Sequence, residues 1–333
     1  MPITSKTRRP KPERPCIYDE ITQAIIADLE AGRFPWAQPW GSSGVAARLG
    51  LPRNAASARA YSGINILILW GAAVARGFSC QSWLTFRQAL ALGGNVRKGE
   101  RGTTVVYADR FEPKHDAVST PNGEPQTIHF LKRFTVFSTD QCEGLPERPA
   151  TVPSPLPEGL IAPTVQALIS ASGADLRMGG DQAFYSPTID FVQVPRPEAF
   201  FHPIDWHRTA LHELGHWTGH RSRLNRDQQG RFGTSGYARE ELVAELCAAF
   251  CCATLGIRPT VRHADYLGGW LDVLREDSRA IVRAASAASK AADILLGFVP
   301  DAMAFVAPAG LPARARYASA LGEEEEGEIF VTG

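Results

Sequence analysis

His212-Glu213-Leu214-Gly215-His216 is the stretch from which the reading of this 333-residue chain works outward. Residues four apart on a helix lie about 40° apart around its axis. His212 and His216 therefore face the same way, one turn above the other, and two imidazoles so placed can hold one Zn²⁺ or a similar divalent ion. Glu213, roughly 100° round from His212, is placed to act as general base toward a water at that ion.

A catalytic zinc takes three protein ligands and keeps one open position. One arrangement places a third His ten residues after the first, beyond a Gly at plus seven. Gly219 stands at plus seven, but plus ten is Ser222, and the additional histidine is His220 at plus eight. The alternative is a Glu from a following helix. Tyr237 to Glu245 supplies one, in a segment where Leu242, Leu246, Ala249 and Phe250 recur with helical spacing. Glu241 and Glu245 share a face as the two histidines do. Glu241 is expected to be the third ligand, and Glu245 an acceptor that orients a ligand histidine. Tyr237 and His220 are the candidates for stabilising an oxyanion.

A hydrophobic content of 44% and a charged content of 21% are those of an ordinary globular protein, and the length suggests two domains. The zero net charge conceals an asymmetry. Residues 1–140 carry 18 Lys+Arg against 11 Asp+Glu, and residues 141–333 carry 17 against 24. A polyanion would be met by the front half. Six cysteines with no CxxC pair suit a reduced, cytoplasmic protein. The longest strongly apolar run, Ile64 to Trp70 apart from Asn65, is too short to span a bilayer, so no membrane partner is expected.

The expected fold class is α+β in two domains. Residues 1–15 read as a disordered basic arm, and 16–145 as a small-sheet α+β domain. Residues 146–160 form a Pro-rich linker. A mainly helical domain covers 161–300, with a tail over 301–333 that is acidic near its end. In the front domain, a helix runs from about Tyr18 to Ala31 and another through roughly Ala75. A third is expected to begin at Trp83, and a strand through Val105 has an antiparallel partner from Ile128 to Phe137. Residues 189–194 could take an extended peptide by edge addition.

The front domain also mixes aromatic and basic residues, a combination that suits single-stranded nucleic acid. Its candidate contacts are Trp36, Trp40, Tyr61, Asn65, Trp83, Arg97, Lys98, Lys132 and Arg133, with Arg53, Arg59 and Tyr107 interleaved among them.

Taken together, these stretches resemble the plasmid-encoded antirestriction proteins of the ArdC type over nearly the whole length. The resemblance rests on PWAQPW at 35–40, YSGINILIL at 61–69, WLTFRQALALGGNVRKGERGT at 83–103 and FLKRFTVFSTDQCEGLP at 130–146. Behind these come AFYSP at 183–187, HELGHWTGHRSRL at 212–224 and YAREELVAELCAAF at 237–250. It implies a single-stranded-DNA-binding domain followed by a zincin-like metallopeptidase domain that together protect incoming conjugative DNA. It also implies His212, His216 and Glu241 as metal ligands with Glu213 as base. Two functional readings follow: a DNA-tethered protease cleaving a host protein, or a DNA-coating protein whose metal domain is structural or idle. A metal-dependent nuclease is disfavoured, because phosphoryl-transfer sites prefer oxygen-rich ligands and often two metals.

Overall fold

A computed structural model of the chain describes residues 16–37, 50–111, 128–146, 158–231, 233–260 and 266–299. The basic arm, Trp40, residues 147–157 of the Pro-rich segment and the tail lie outside the described residues.

The front half contains helices α1 (Ile17–Glu30), α2 (Ile64–Arg76) and α3 (Phe86–Ala91). Its four-stranded sheet takes the order β1 (Arg53–Asn54), β2 (Ser82–Thr85), β5 (Ile128–Ser138), β4 (Thr103–Phe111). A separate short pair joins β3 (Asn95–Val96) to β6 (Cys142–Glu143). Strands β4 and β5 pair antiparallel from Thr103↔Val136 to Phe111↔Ile128.

The helix expected at Trp83 starts three residues later. Trp83 and Leu84 lie in β2, where Trp83 pairs with Ser138. A capping box then opens α3: the Thr85 hydroxyl accepts from the Gln88 amide at 3.2 Å, and the Gln88 side chain accepts from the Thr85 amide at 3.0 Å.

The back half begins with α4 (Glu158–Ser172) and a three-stranded sheet ordered β7 (Asp175–Met178), β9 (Phe191–Val194), β8 (Phe184–Ser186). Strand β9 is the central one, paired with β7 in parallel and with β8 antiparallel. Residues 189–194 therefore offer no open edge for a peptide. Both sides of β9 are already hydrogen-bonded, and among the described residues the outer strands of this sheet are β7 and β8. Then come α5 (Pro203–Trp217), α6 (Ser235–Thr254), α7 (Leu267–Glu276) and α8 (Ala280–Leu296). Helix α5 starts at Pro203 in its first position, where the missing N–H costs nothing, and Asp205 lies in its first turn.

Helix α6 is the axis of the back half. Every side chain from Glu241 to Ala253 is buried, because α5, α7 and α8 all pack around it. The alanines of α8, including Ala285, Ala288 and Ala292, allow close approach. One hydrophobic core joins the two halves, running from Ile25, Leu29, Trp36 and Trp70 to Phe250 and Trp270. Polar contacts also cross the boundary. The Thr22 hydroxyl donates to the Ser278 carbonyl at 2.6 Å, and the Gly63 amide to the Ser289 hydroxyl at 2.8 Å. No helix among the described residues is long and apolar enough to cross a membrane.

Candidate metal centre

Helices α5 and α6 make the site by approaching unusually closely. A Cβ on Gly215 would lie 3.2 Å from the Ala244 Cα and 3.4 Å from its carbonyl oxygen. The absence of a side chain at 215 brings the His212/His216 face against the carboxylates of α6.

His212, His216 and Glu241 each present a ligand atom, all within 4.8 Å of one another. His212 Nε2 lies 3.4 Å from one Glu241 oxygen and His216 Nε2 3.5 Å from the other. Ligands about 2.0–2.2 Å from a tetrahedral ion stand about 3.3–3.6 Å apart, so these separations fit a bound divalent ion. The second nitrogen of each ring faces another carboxylate. His212 Nδ1 is 3.4 Å from Glu245, and His216 Nδ1 is 3.2 Å from Glu240. This turns both Nε2 atoms toward Glu241.

Glu240 was not legible in the sequence as a partner of His216, nor were Arg226 and Gln228. Arg226 donates to both Glu240 oxygens at 2.7 and 3.0 Å and to the Gly215 carbonyl at 2.7 Å. Gln228 donates to the His216 carbonyl at 2.7 Å and to Glu240 at 3.1 Å. The one available signal was the doubled Glu240-Glu241. The helical periodicity that picked out Glu241 and Glu245 set Glu240 aside.

Electrostatics follow from this enclosure. Burial works against charge on His216, but the Glu240 and Glu241 carboxylates outweigh it and raise its pKa to about 9. His212 is likewise raised, burial being overcome by Glu241 and Glu245. Burial opposes the Glu240 carboxylate too, yet His216 and Arg226 hold it at about 2. Glu241 is depressed by the same two histidines against the effect of burial. Glu213 is also buried, and its pKa is raised, chiefly by desolvation. The field at the Nε2 atoms is thus one that a divalent cation satisfies.

The two oxyanion candidates occupy different places. Tyr237 stands near enough to Glu241 for that carboxylate, after burial and the Tyr266 hydroxyl, to help raise its pKa, and its hydroxyl lies 3.1 Å from that of Tyr266. His220 meets the Ser222 hydroxyl at 2.8 Å and stands 3.7 Å from Asp190, within a cluster that includes Arg223 and Tyr185.

Residues 163–287 match the family described as zincin-like metallopeptidase, and residues 15–137 match the N-terminal domain of anti-restriction factor ArdC. The crystal structure of metal-free antirestriction protein ArdC from plasmid R388 is similar, with a TM-score of 0.70 at 38% identity. That match covers 85% of this chain and 97% of the other. The chain belongs to the ArdC family of antirestriction proteins.

The Mn(II)-bound structure of the same R388 ArdC matches with a TM-score of 0.68 at 36% identity, over 86% of this chain and 99% of that one. This ArdC-family chain is also similar to the uncharacterised protein y4eC of Sinorhizobium fredii. The two are 41% identical over 286 residues, 83% of this chain and 90% of y4eC. DNA primase TraC of Escherichia coli is 37% identical over 298 residues, 84% of this chain but 27% of TraC.

The nucleic-acid candidates of the ArdC-type front domain divide into two groups. Trp36 and Trp83 are fully buried and present no ring face to a base, which corrects their assignment. Each was drawn inside by packing: Trp36 against Phe34 and Trp270, Trp83 against Phe78. Asn65 is committed to the backbone, donating to the Val106 carbonyl at 2.7 Å and accepting from its amide at 2.9 Å. Arg97 pairs with Glu100 at 2.7 Å and Arg133 with Glu20 at 3.0 Å. Tyr61 and Lys132 are half-buried, and Lys98 is exposed.

Proposed function

We propose that this chain is an antirestriction protein that protects incoming conjugative DNA, with a single-stranded-DNA-binding front domain and a metal-dependent peptidase centre behind it. The observation that carries the peptidase reading is the convergence of His212 and His216 Nε2 on Glu241 with Glu213 buried alongside. A divalent ion held there would polarise a carbonyl and acidify a water. Glu213 serves as the proton acceptor, Glu240 and Glu245 fix the imidazoles, and Tyr237, beside Glu241, is the donor assigned to the developing negative charge. The substrate is an extended peptide added to the outer edge of β7 or β8. The two-His, one-Glu donor set suits Zn²⁺, and the Mn(II) of the R388 relative supports Mn²⁺ as a second candidate.

A second reading draws on the shared core. Helices α6 and α7 cover Trp70 and Trp36, so the metal domain also completes the fold of the DNA-binding half. In that reading the protein coats DNA and its metal is structural or idle.

Glu213→Gln separates the two. Metal content, fold and DNA affinity should stay at wild-type levels, while peptidase activity drops by about 10²–10⁴-fold. Restriction protection is then measured during conjugation at matched protein levels. Loss of protection with DNA affinity intact supports the peptidase role. Full protection rules it out and leaves the coating reading.

A further inference from the structure

Four exposed cations of the front half, Arg76, Arg97, Lys98 and Arg101, meet where α2 ends and β4 begins. Hydrogen bonds place them together. Arg76, in the last turn of α2, donates from one terminal nitrogen to the Arg101 carbonyl and from the other to the Gly102 carbonyl at 3.5 Å. The Glu100 amide donates to the Arg97 carbonyl at 3.2 Å, closing a four-residue turn with Lys98 and Gly99 at its tip. Gly99 has φ +88°, a conformation that glycine adopts without strain at the third position of a turn.

The turn is fastened to the buried Gln141. The Arg97 amide donates to the Gln141 carbonyl at 3.0 Å. In return, Gln141 Nε2 donates to the Glu100 carboxylate and to the Arg101 carbonyl, each at 2.9 Å. Gly102 lets the segment seat against β5. A Cβ there would run into the Thr135 side chain and lie 3.1 Å from the Val136 carbonyl oxygen. The cations are therefore held in place before any ligand arrives, which lowers the cost of ordering them on binding.

The charges do not balance. Glu100 is the carboxylate of the turn, and it is consumed by Arg97 at 2.7 Å and by Gln141, which together hold its pKa low. Asp140, beside Gln141, is engaged by Ser79 and Cys80. Among the described residues, no carboxylate lies within ion-pair distance of Arg76, Lys98 or Arg101. The carbonyls that Arg76 meets satisfy its N–H groups and leave its charge in place. Three like charges fixed close together repel one another, and a bound polyanion relieves that repulsion. Access is open: a Cβ at Gly99 would meet nothing within 4 Å. The Lys98 and Gly99 amides donate to no acceptor among the described residues, so the tip also offers backbone N–H groups to an anion.

We propose that Arg76, Lys98, Arg101 and the tip of the Arg97–Glu100 turn form a clamp for the phosphates of single-stranded DNA. This rests on the reading that the front domain binds single-stranded DNA. Arg97, paired with Glu100, shapes the turn and is not itself a phosphate contact. Phosphate contacts carry no sequence information, so the clamp serves any base order.

The test uses the full chain and a fluorescein-labelled oligothymidylate, followed by anisotropy over a range of salt. The Lys98→Gln, Arg101→Gln double variant should bind about tenfold or more weakly. The slope of log affinity against log salt should become shallower by about 0.7 for each phosphate no longer neutralised, about 1.4 in all. A mixed-sequence oligonucleotide of the same length should show the same loss. Arg76→Lys should keep the slope, whereas Arg76→Gln should reduce it by about 0.7, which separates charge from damage to the turn. Arg133→Gln removes a charge that Glu20 already neutralises and should stay within about twofold of wild type. If wild type binds and the Lys98/Arg101 variant binds equally well with the same slope, the clamp is overturned while the DNA-binding reading stands. An equal loss in Arg133→Gln would overturn it too, since overall charge would then explain the effect. If wild type itself ignores both oligonucleotides, that reading fails and the clamp fails with it.

Discussion

Trp36, from the front half, meets Trp270 of α7 edge to face with ring centroids 5.7 Å apart, and neither ring is exposed. Tyr266 tilts against Trp270 at 6.4 Å and carries the contact on to Tyr237, which stands beside the metal-site carboxylate Glu241. The segment that looked like a nucleic-acid platform is a bolt between the two domains. Trp36→Ala should therefore lower stability by about 3–5 kcal/mol, the usual cost of emptying a buried Trp site. Urea unfolding measures this. Oligonucleotide affinity, taken below the transition, should be unchanged within about twofold, and a selective loss of affinity at full stability would return Trp36 to the DNA surface.

Gly215 and Ala244 set the distance between the metal helices. Gly215→Ala puts a methyl group 3.2 Å from the Ala244 backbone, so α5 and α6 must part by a few tenths of an ångström. Overpacking of this kind costs about 1–3 kcal/mol. Because the ligands stand on both helices, metal affinity should fall together with stability. Calorimetric metal titration is the check, and unchanged affinity would mean that the helices can shift without moving the ligands.

Removing a ligand should differ from removing the carboxylate behind it. His212→Ala and Glu241→Ala should emerge from dialysis without metal, while His220→Ala keeps it. Glu240→Ala and Glu245→Ala should retain metal with affinity weakened by about 10- to 100-fold. Elemental analysis followed by competition with a chelator reads both classes. An empty site in Glu245→Ala beside a full one in Glu241→Ala would reverse the two roles.

The His216–Glu240 pair gives chelator-treated protein a defined pH window. Glu240 is held at about 2 against an ordinary 4.5, so its contribution is complete above about 4.5 and is lost as pH falls toward 2. His216 is raised to about 9 from 6.5, so its contribution is complete below about 6.5 and is lost as pH rises through 9. Wild type should exceed Glu240→Gln in denaturant midpoint most between about pH 4.5 and 6.5, with the gap closing on both sides. A gap that is flat with pH would show that the pair contributes no linkage.

Four-residue spacing is a property of the helix backbone, so His212 with His216 and Glu241 with Glu245 could each be placed on one face from sequence alone. The hairpin of β4 and β5 was legible for the same reason, through its alternation. The strand at Trp83 was not. A two-residue apolar pair reads as helix or strand equally well, and the Thr85–Gln88 capping box decides where α3 begins.

The sequence by itself thus determined the ArdC-type two-domain α+β organisation and the separate faces that bear His212, His216, Glu241 and Glu245. Only the tertiary structure decided that Glu240, Arg226 and Gln228 lock His216, that β9 is central, and that Trp36 and Trp83 are core while Tyr107 faces solvent. The reason is physical. Local periodicity follows from the geometry of one segment, whereas burial and the pairing of charges depend on which distant segments pack against it, and no spacing along the chain encodes that.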